Sequence, residues 1–422
     1  MSPKKFLNLT NGFIKKNINI THNDFLSFKK IVKKLKLNIS NIPIITIAGT
    51  NGKGTTINLI YRFLLYYQYK VGMFISPCIF KINEQIVVDS YHPSDIDLIN
   101  IIEYIKTDLK KINSNVTYFE FIFLITLKFF KLKKPNIILL EVGLGGLFDA
   151  TNILNPIISV ITTIDFDHQE ILGNTRNKIG LMKAGIFRTN SIGICGDPKP
   201  PKSVILYAKK LNMPLLIQNK DFNFKENFFY WYWNSKKNFF NKLPIPNIPL
   251  QNASTALMVL EILQEFYNIN ILSHNVLIKI LKNFNVIGRM QILNFYDKKI
   301  ILDVAHNIQS TKYLKYFIQK KFYDKKIICL FSSLKDKKYK EMIRILDSLQ
   351  AEWHFTFLQN EKRAASIKDM QSALFKKSFQ HKSVISACQY LIYSLKSNDL
   401  LIIFGSFRVI KESLLFFKKI HI

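Results

Sequence analysis

The run Ile44-Ile45-Thr46-Ile47-Ala48 is apolar and rich in β-branched residues, and it predicts a short buried strand. A glycine-rich turn follows, and then a stretch over 55–67 with apolar positions at helical spacing. Residues 71–75, 136–142 and 157–164 predict three more strands. Their near-continuous apolar character is that of strands covered on both faces of a parallel sheet. Helical patterns over 96–111 and 118–131 separate them, and one more helix is expected over 23–37 in an otherwise irregular start. This alternation predicts an α/β domain with helices on both sheet faces. Over 222–240 the pattern changes to alternating aromatic positions, which predicts a hairpin. Residues 242–249 carry Pro244, Pro246 and Pro249 and predict a loop, with a helix starting near Asn252. A second α/β series is expected after Arg289, with strands over 300–304, 327–331 and 400–404. The boundary is expected between 285 and 290, which gives domains over 1–286 and 287–422.

Length and composition narrow the class. A chain of 422 residues has room for two or three cores, and 48% hydrophobic with 21% charged residues fits a soluble globular protein. The longest apolar stretch, 119–130, is interrupted by Glu120 and Lys128 and reads as a buried helix, so no membrane span is expected. Met1-Ser2-Pro3-Lys4-Lys5 leads into polar, Asn-rich sequence with no secretion signal. Cys78, Cys195, Cys329 and Cys388 have no paired spacing. A disulfide framework or zinc site is not expected, and a reducing cytoplasm is. The net charge of +31 invites a nucleic-acid or membrane reading. The lysines are dispersed, however, and Lys, Asn, Ile, Phe and Tyr all come from A/T-rich codons. The charge is therefore read as background, with no specific nucleic-acid partner. The reading from another class is a basic protein whose phosphate loop powers nucleic-acid remodelling.

The strongest chemical signal is Gly49-Thr50-Asn51-Gly52-Lys53-Gly54-Thr55-Thr56, placed between a strand and a helix. Small residues let backbone N–H groups approach phosphate oxygens, and the helix presents its N-terminus to the negative charge. Lys53 can reach terminal phosphates and the Thr55 hydroxyl can ligate Mg²⁺. The strict G-x-x-x-x-G-K-[ST] pattern is not met, because Ile47 stands at its first glycine and Gly54 follows the lysine. Glu141 ends an apolar strand, where an open α/β sheet faces its ligand and a carboxylate suits Mg²⁺. Ser76, before Pro77, is either a neutral oxygen ligand or a turn hydroxyl. His168 reads as a base or a core histidine, since magnesium prefers oxygen.

The loop resembles the phosphate loop of folylpolyglutamate synthases and bifunctional dihydrofolate synthases, within the Mur ligase group. Further matching segments follow in the family's order: Ser76-Pro77, Thr117-Tyr118-Phe119-Glu120, Glu141-Val142-Gly143-Leu144-Gly145-Gly146 and Asp149-Ala150-Thr151-Asn152, then Asp167-His168, Lys183-Ala184-Gly185-Ile186, Gly288-Arg289 and Asp303-Val304-Ala305-His306-Asn307. The resemblance covers nearly the whole chain. It departs from the family at Leu147, where arginine is usual, at Cys78, where histidine is usual, and at Met182, where glutamate is usual. Ile20-Thr21-His22 departs from a common Leu-Gly-Leu.

The resemblance implies an ATP-dependent ligase that adds L-glutamate to dihydropteroate and to reduced folates through an acyl phosphate. It implies a P-loop ATPase domain, mostly parallel, followed by a smaller Rossmann-like α/β domain. ATP would meet Asn51, Gly52, Lys53, Gly54 and Thr55, together with Asn252, Arg289 and Asp303, with Arg289 reaching phosphates on domain closure. Two Mg²⁺ ions would be held by Thr55, Ser76, Glu141, His168 and a carbamylated Lys183, whose other reading is a lysine on a helix surface. Lys53, Lys183 and His306 would be catalytic. Thr117, Tyr118, Phe119, Glu120, Phe148, Asp149 and Ala150 would line a pterin pocket, although core packing is the alternative for Phe119 and Phe148. A muropeptide ligase of the same group is the nearest rival. It usually carries a further N-terminal domain, for which about forty-five residues before the loop are too few. A monomer acting on small molecules is expected.

Overall fold

The computed structural model describes residues 1–15, 21–39, 41–267, 271–359 and 361–420. The chain divides into two compact units, Met1–Phe284 and Asn285–Ile422.

The first unit is built on seven strands: β1 Ile44–Ala48, β2 Val71–Phe74, β3 Ile86–Val88, β4 Ile137–Glu141, β5 Ile158–Ile161, β6 Ile192–Cys195 and β7 Leu215–Ile217. Their order is β3-β2-β4-β1-β5-β6-β7, and every pairing is parallel except β2 with β3. Strands β1, β2, β4 and β5 are buried at every position, as their unbroken apolar runs require. The helices of this unit are α1 Pro3–Leu9, α2 His22–Lys34, α3 Lys53–Tyr66, α4 Asp95–Lys111, α5 Tyr118–Lys133, α6 Gln169–Leu172, α7 Arg176–Ala184, α8 Lys202–Lys210, α9 Leu250–Tyr267 and α10 His274–Lys282. Helix α5 buries Phe121, Phe123, Phe129 and Phe130 in the core with Phe74. That burial in protein accounts for its apolar sequence, and among the described residues no helix is long and apolar enough to cross a membrane.

Three expectations are revised here. The first forty residues hold α1 as well as α2; Ser2 caps α1 and Phe6 is buried beneath it. The aromatic hairpin is a three-stranded meander of β8 Phe222–Glu226, β9 Tyr230–Ser235 and β10 Phe239–Pro244. Its third strand runs into the segment read as a proline loop. Pro244 is tolerated because it ends an edge strand, where no ladder hydrogen bond is lost. Residues 162–164 leave β5 and turn toward the phosphate loop, so that strand ends at Ile161.

In the second unit, β11 Gln291–Phe295 and β12 Lys298–Leu302 form an antiparallel pair ahead of a parallel series, β13 Lys326–Phe331, β14 Glu352–Thr356, β15 Phe379–His381 and β16 Asp399–Phe404. The order is β11-β12-β16-β13-β14-β15. Helices α11 Ile308–Lys321, α12 Tyr339–Asp347, α13 Ile367–Gln371, α14 Val384–Ser394 and α15 Phe407–Lys419 complete it. Its core includes Phe331, Trp353, Phe355 and Phe404. The domain architecture is the expected one: a mostly parallel first sheet and a smaller α/β unit after it.

Candidate active site

Neighbouring strands β2, β4, β1 and β5 are mutually parallel, so their carboxyl ends lie along one edge of the first sheet. Four predicted segments leave that edge: Ser76 just beyond β2, Glu141 at the end of β4, Gly49–Thr55 after β1 and Asp165–His168 after β5. This is the edge on which open α/β sheets bind ligands.

The phosphate loop is shaped by close approach. A side chain at Gly49, φ +154°, would put its Cβ 1.8 Å from Thr162 Oγ1. Gly52, φ +90°, caps α3 in the left-handed region, and a Cβ there would meet Asn252 Oδ1 at 2.3 Å. Asn252 is buried in the first turn of α9, so it packs onto the phosphate loop. Helix α3 starts at Lys53, two residues before the predicted start, and its N-terminus opens onto the loop. Lys53 Nζ donates to Gly49 O at 2.9 Å.

Residues 162–164, which the sequence places in the strand and not in the site, are the loop's other support. Thr50 N–H donates to Thr163 O (2.7 Å) and Asn51 N–H to Thr163 Oγ1 (3.0 Å). Thr162 Oγ1 donates to Asn51 O (2.6 Å), and the Thr50 hydroxyl donates to Asp165 O (3.0 Å). Asp197 and Arg176 clamp this segment in turn. Ile164 N–H donates to Asp197 Oδ2, Arg176 Nε donates to Ile164 O, and Arg176 Nη2 pairs with Asp197 at 2.7 Å. The paired threonine hydroxyls after an apolar strand were the signal available in the sequence.

Glu141 is buried, pairs in register with Ile47 of β1, and accepts from Ser76 N–H at 3.1 Å. Thr55 is buried in the first turn of α3. Lys183 is buried on α7 and not on a helix surface. Burial, and then the charge of nearby Lys53, lower its pKa to about 7, with Asp167 acting in the opposite sense. His168 is not a core histidine. Its side chain is 45% exposed, with left-handed backbone, and Nε2 lies 3.9 Å from Asp167 Oδ2.

The second glycine loop, Gly143–Gly146, is equally constrained. A Cβ at Gly143 would meet Phe119 Cζ at 2.7 Å, and one at Gly146 would meet the carbonyl oxygens of Met182 and Lys183 at 2.8 and 2.9 Å. Asp149 is buried beneath this loop. Its Oδ2 accepts from Leu144 N–H (2.9 Å), and its Oδ1 accepts from Thr151 N–H (3.0 Å) and the Thr151 hydroxyl (2.6 Å). Desolvation raises its pKa against these bonds. Ala150, next along, is buried. Thr117 and Glu120 bond each other's backbone as a capping box for α5, with Glu120 buried. Tyr118 packs edge-on against Phe6, and burial pushes its hydroxyl up to about 12. Phe119 and Phe148 remain half-buried. Phe148 meets His22 and Phe25 of α2 at ring distances of 5.8 and 6.3 Å. Ile20, beside them in sequence, lies outside the described residues.

In the second unit, Arg289, Asp303 and His306 gather at the ends of β11 and β12. Asp303 is buried and accepts from Met290 N–H (2.8 Å) and Ala305 N–H (2.7 Å). Desolvation raises its pKa, and Arg289 acts in the opposite sense. His306 Nδ1 lies 2.9 Å from Val304 O. The contact places the ring hydrogen on Nδ1, where it can donate to that carbonyl.

Residues 47–213 match the Mur ligase middle domain, and residues 288–407 match the Mur ligase, glutamate ligase domain. The chain is 34% identical to a Haemophilus influenzae dihydrofolate synthase/folylpolyglutamate synthase over 414 residues, which covers 91% of each chain. It is 29% identical to the Escherichia coli protein of the same name, covering 87% of this chain and 85% of that one. Among solved structures, Escherichia coli FolC in complex with DHPP and ADP superposes with a TM-score of 0.90 at 26% identity, covering 100% of this chain and 99% of the other. A Yersinia pestis bifunctional folylpolyglutamate synthase/dihydrofolate synthase complexed with AMPPNP and Mn ion gives 0.89 at 28% identity, covering 100% and 98%. Loop, sheet edge and second unit thus agree with whole-chain similarity, and the chain belongs to the dihydrofolate synthase/folylpolyglutamate synthase family of Mur-type ligases.

Proposed function

We propose that this chain uses ATP to join the amine of L-glutamate to a folate-type carboxylate, acting both on dihydropteroate and on the glutamate tail of reduced folates. The observation that carries the assignment of roles is the shared sheet edge on which Lys53, Thr55, Ser76, Glu141 and the Asp167–His168 segment meet. A carboxylate is a poor acyl donor, so one of its oxygens first attacks the γ-phosphorus of ATP and ADP leaves. The glutamate amine then attacks the acyl carbon, and phosphate leaves with its oxygen. No side-chain nucleophile is needed. The protein orients the reactants, neutralises moving charge and excludes water that would hydrolyse the acyl phosphate.

Lys53 with the α3 N-terminus receives the β- and γ-phosphates, flanked by Asn51, Gly52 and Gly54. Asn252 keeps Gly52 in place and borders the nucleotide. Buried Glu141 and Thr55, with half-buried Ser76, offer the oxygen donors that a hard dication prefers, and we assign Mg²⁺ to them. When bound, that ion supplies charge neutralisation at the phosphates. We assign a second ion to His168 and Lys183. Burial and Lys53 favour the neutral amine of Lys183 near pH 7. Such an amine can add carbon dioxide and lose a proton, which creates an anionic ligand. Arg289 and Asp303 are assigned to the nucleotide, and His306 to glutamate. The pterin is assigned to the half-buried rings of Phe119 and Phe148, with Thr117, Tyr118, Glu120, Asp149 and Ala150 shaping the pocket around them. Two activities and a cytoplasmic monomer complete the proposal.

The test is product analysis with Mg²⁺, ATP and glutamate, offering dihydropteroate and a reduced folate separately. Dihydrofolate should form from the first and a longer glutamate tail from the second. Phosphate release that answers to nucleic acid and to neither pterin substrate would overturn the reading. Glu141→Ala should raise the Mg²⁺ concentration needed for ATP binding while the protein stays folded. Unchanged Mg²⁺ dependence would make Glu141 a structural residue.

A further inference from the structure

We propose that Phe407 is a positioning residue for the ligase reaction, acting through Arg289. The proposal rests on the nucleotide role assigned to Arg289 above. The Arg289 guanidinium carbon lies 5.4 Å from the centroid of the Phe407 ring, within cation–π reach. The His306 ring lies 6.2 Å from the same centroid, inclined by 46°. One half-buried aromatic side chain therefore lies against two of the three residues that this unit would offer to substrates.

The backbone around Arg289 is fixed, and the Phe407 ring adds a contact at the far end of its long side chain. Gly288 turns at φ +67°, Val304 N–H donates to Gly288 O at 2.8 Å, and Met290 N–H is held by Asp303. These bonds set where the Arg289 side chain starts and leave its several torsions open. A ring face under the guanidinium restricts those torsions before any ligand arrives, which is the preorganisation that binding otherwise has to supply. Phe407 is itself anchored. It opens α15 directly after the capping residue Ser406, whose Oγ accepts from Val409 N–H. Gly405 before it turns at φ +114° and donates to Ala305 O at 3.0 Å; a Cβ there would meet Ser332 O at 2.4 Å. The backbone before the ring is thus tied to the loop that carries Asp303 and His306.

The test is a double-mutant cycle on kcat/KM for ATP in the full-length protein, with thermal melting to verify folding. Phe407→Leu should lower kcat/KM by about 3- to 30-fold, the range of one cation–π contact, mostly through KM. Phe407→Tyr, which keeps a ring face, should recover most of that loss. In an Arg289→Ala background the Phe407→Leu effect should shrink to less than about 2-fold, because the guanidinium it supports is gone. Equal factors in both backgrounds, or a Tyr variant as impaired as Leu, would overturn the proposal. So would an Arg289→Ala protein with unchanged kinetics. If Phe407→Leu does not fold, Phe407→Met fills similar volume without a ring and replaces it in the cycle. A parent protein with no glutamate-dependent phosphate release would instead refute the ligase reading itself, so the two failures are distinguishable.

Discussion

The two glycine loops of the first unit look alike in sequence and work differently. In Gly49–Thr55 the constraints come from outside: Thr162 and Thr163 just beyond β5, and Asn252 on α9, press on the loop at the α3 N-terminus. In Gly143–Asp149 the acidic side chain folds back on its own loop, with Oδ2 bonded to Leu144 N–H inside it and Oδ1 bonded to Thr151 just beyond it. A carboxylate that the sequence reading placed against the pterin is thus already committed to backbone. Whatever Asp149 offers a pterin comes on top of that role. A motif residue can serve the shape of its loop as much as the ligand that the loop receives.

Three predictions probe this contrast, and a fourth tests a site away from it. The largest effect belongs to Lys53, whose ammonium bonds the loop carbonyls of Gly49 and Thr50. Lys53→Ala should cut turnover by at least about 10²- to 10³-fold, as loss of a charge-stabilising donor does, with little change in melting temperature. A folded variant with near-normal phosphate release would remove the loop from the chemistry. Next is Lys183, whose backbone walls the second loop. Lys183→Ala should lose most activity, with partial return on adding a short carboxylic acid. In the parent, removal of dissolved carbon dioxide should depress activity, and bicarbonate should restore it. The pKa of about 7 fixes the direction: carbon dioxide adds to the neutral amine, so recovery should be faster above pH 7 than below it. A crystal structure showing an unmodified ammonium remote from metal would end the carbamate proposal.

Asp149 comes third. Asp149→Ala strands buried donors on Leu144 and Thr151, each costing about 1–3 kcal/mol, so melting should fall by several degrees. The values of KM for ATP and for dihydropteroate should then rise together. A selective loss of dihydropteroate use in a protein of parental stability would restore the direct pterin role. The smallest effect lies outside both loops. His354 is buried between Glu352 and His381, with ring-nitrogen contacts of 3.1 and 2.9 Å, and burial lowers the His381 pKa to about 4. The unfolded chain therefore takes up protons that the native pair refuses. Stability should be full above about pH 6.5, the unfolded histidine value, and should decline as pH falls toward 4. His381→Phe should flatten that decline in an acid melting series. An unchanged acid profile would show that the pair does not set it.

Much of this was legible because the core strands are long apolar runs. β1 and β4 need no context to be seen, and the phosphate loop sits where they place it. The strands at one side of the second sheet were harder to see. β14 interrupts its buried Trp353 and Phe355 with Glu352 and His354, and the edge strand β15 has three residues, two of them exposed, so neither forms an unbroken apolar run. Helix α1 offers two turns and one buried side chain, too little for a period to show. The site residues divide in the same way. Glu141 could be placed because a strand end is a local property. Burial of Lys183 could not, because it depends on Gly146 pressing against the α7 backbone from a distant segment. His168, open to solvent, was read as a base or core residue because sequence carries no measure of exposure at a left-handed turn.

The contact between Gly52 and Asn252 has a consequence for the timing of synthesis. The loop is written early in the chain, yet the side chain that closes over it is translated 200 residues later. At about 5–20 residues per second, a ribosome takes on the order of 10–40 s to cover that interval. Throughout it, the growing chain holds a loop whose last wall does not yet exist. Nascent chains stopped before α9 should retain ATP poorly on a nucleotide resin, and chains that include α9 should retain it well.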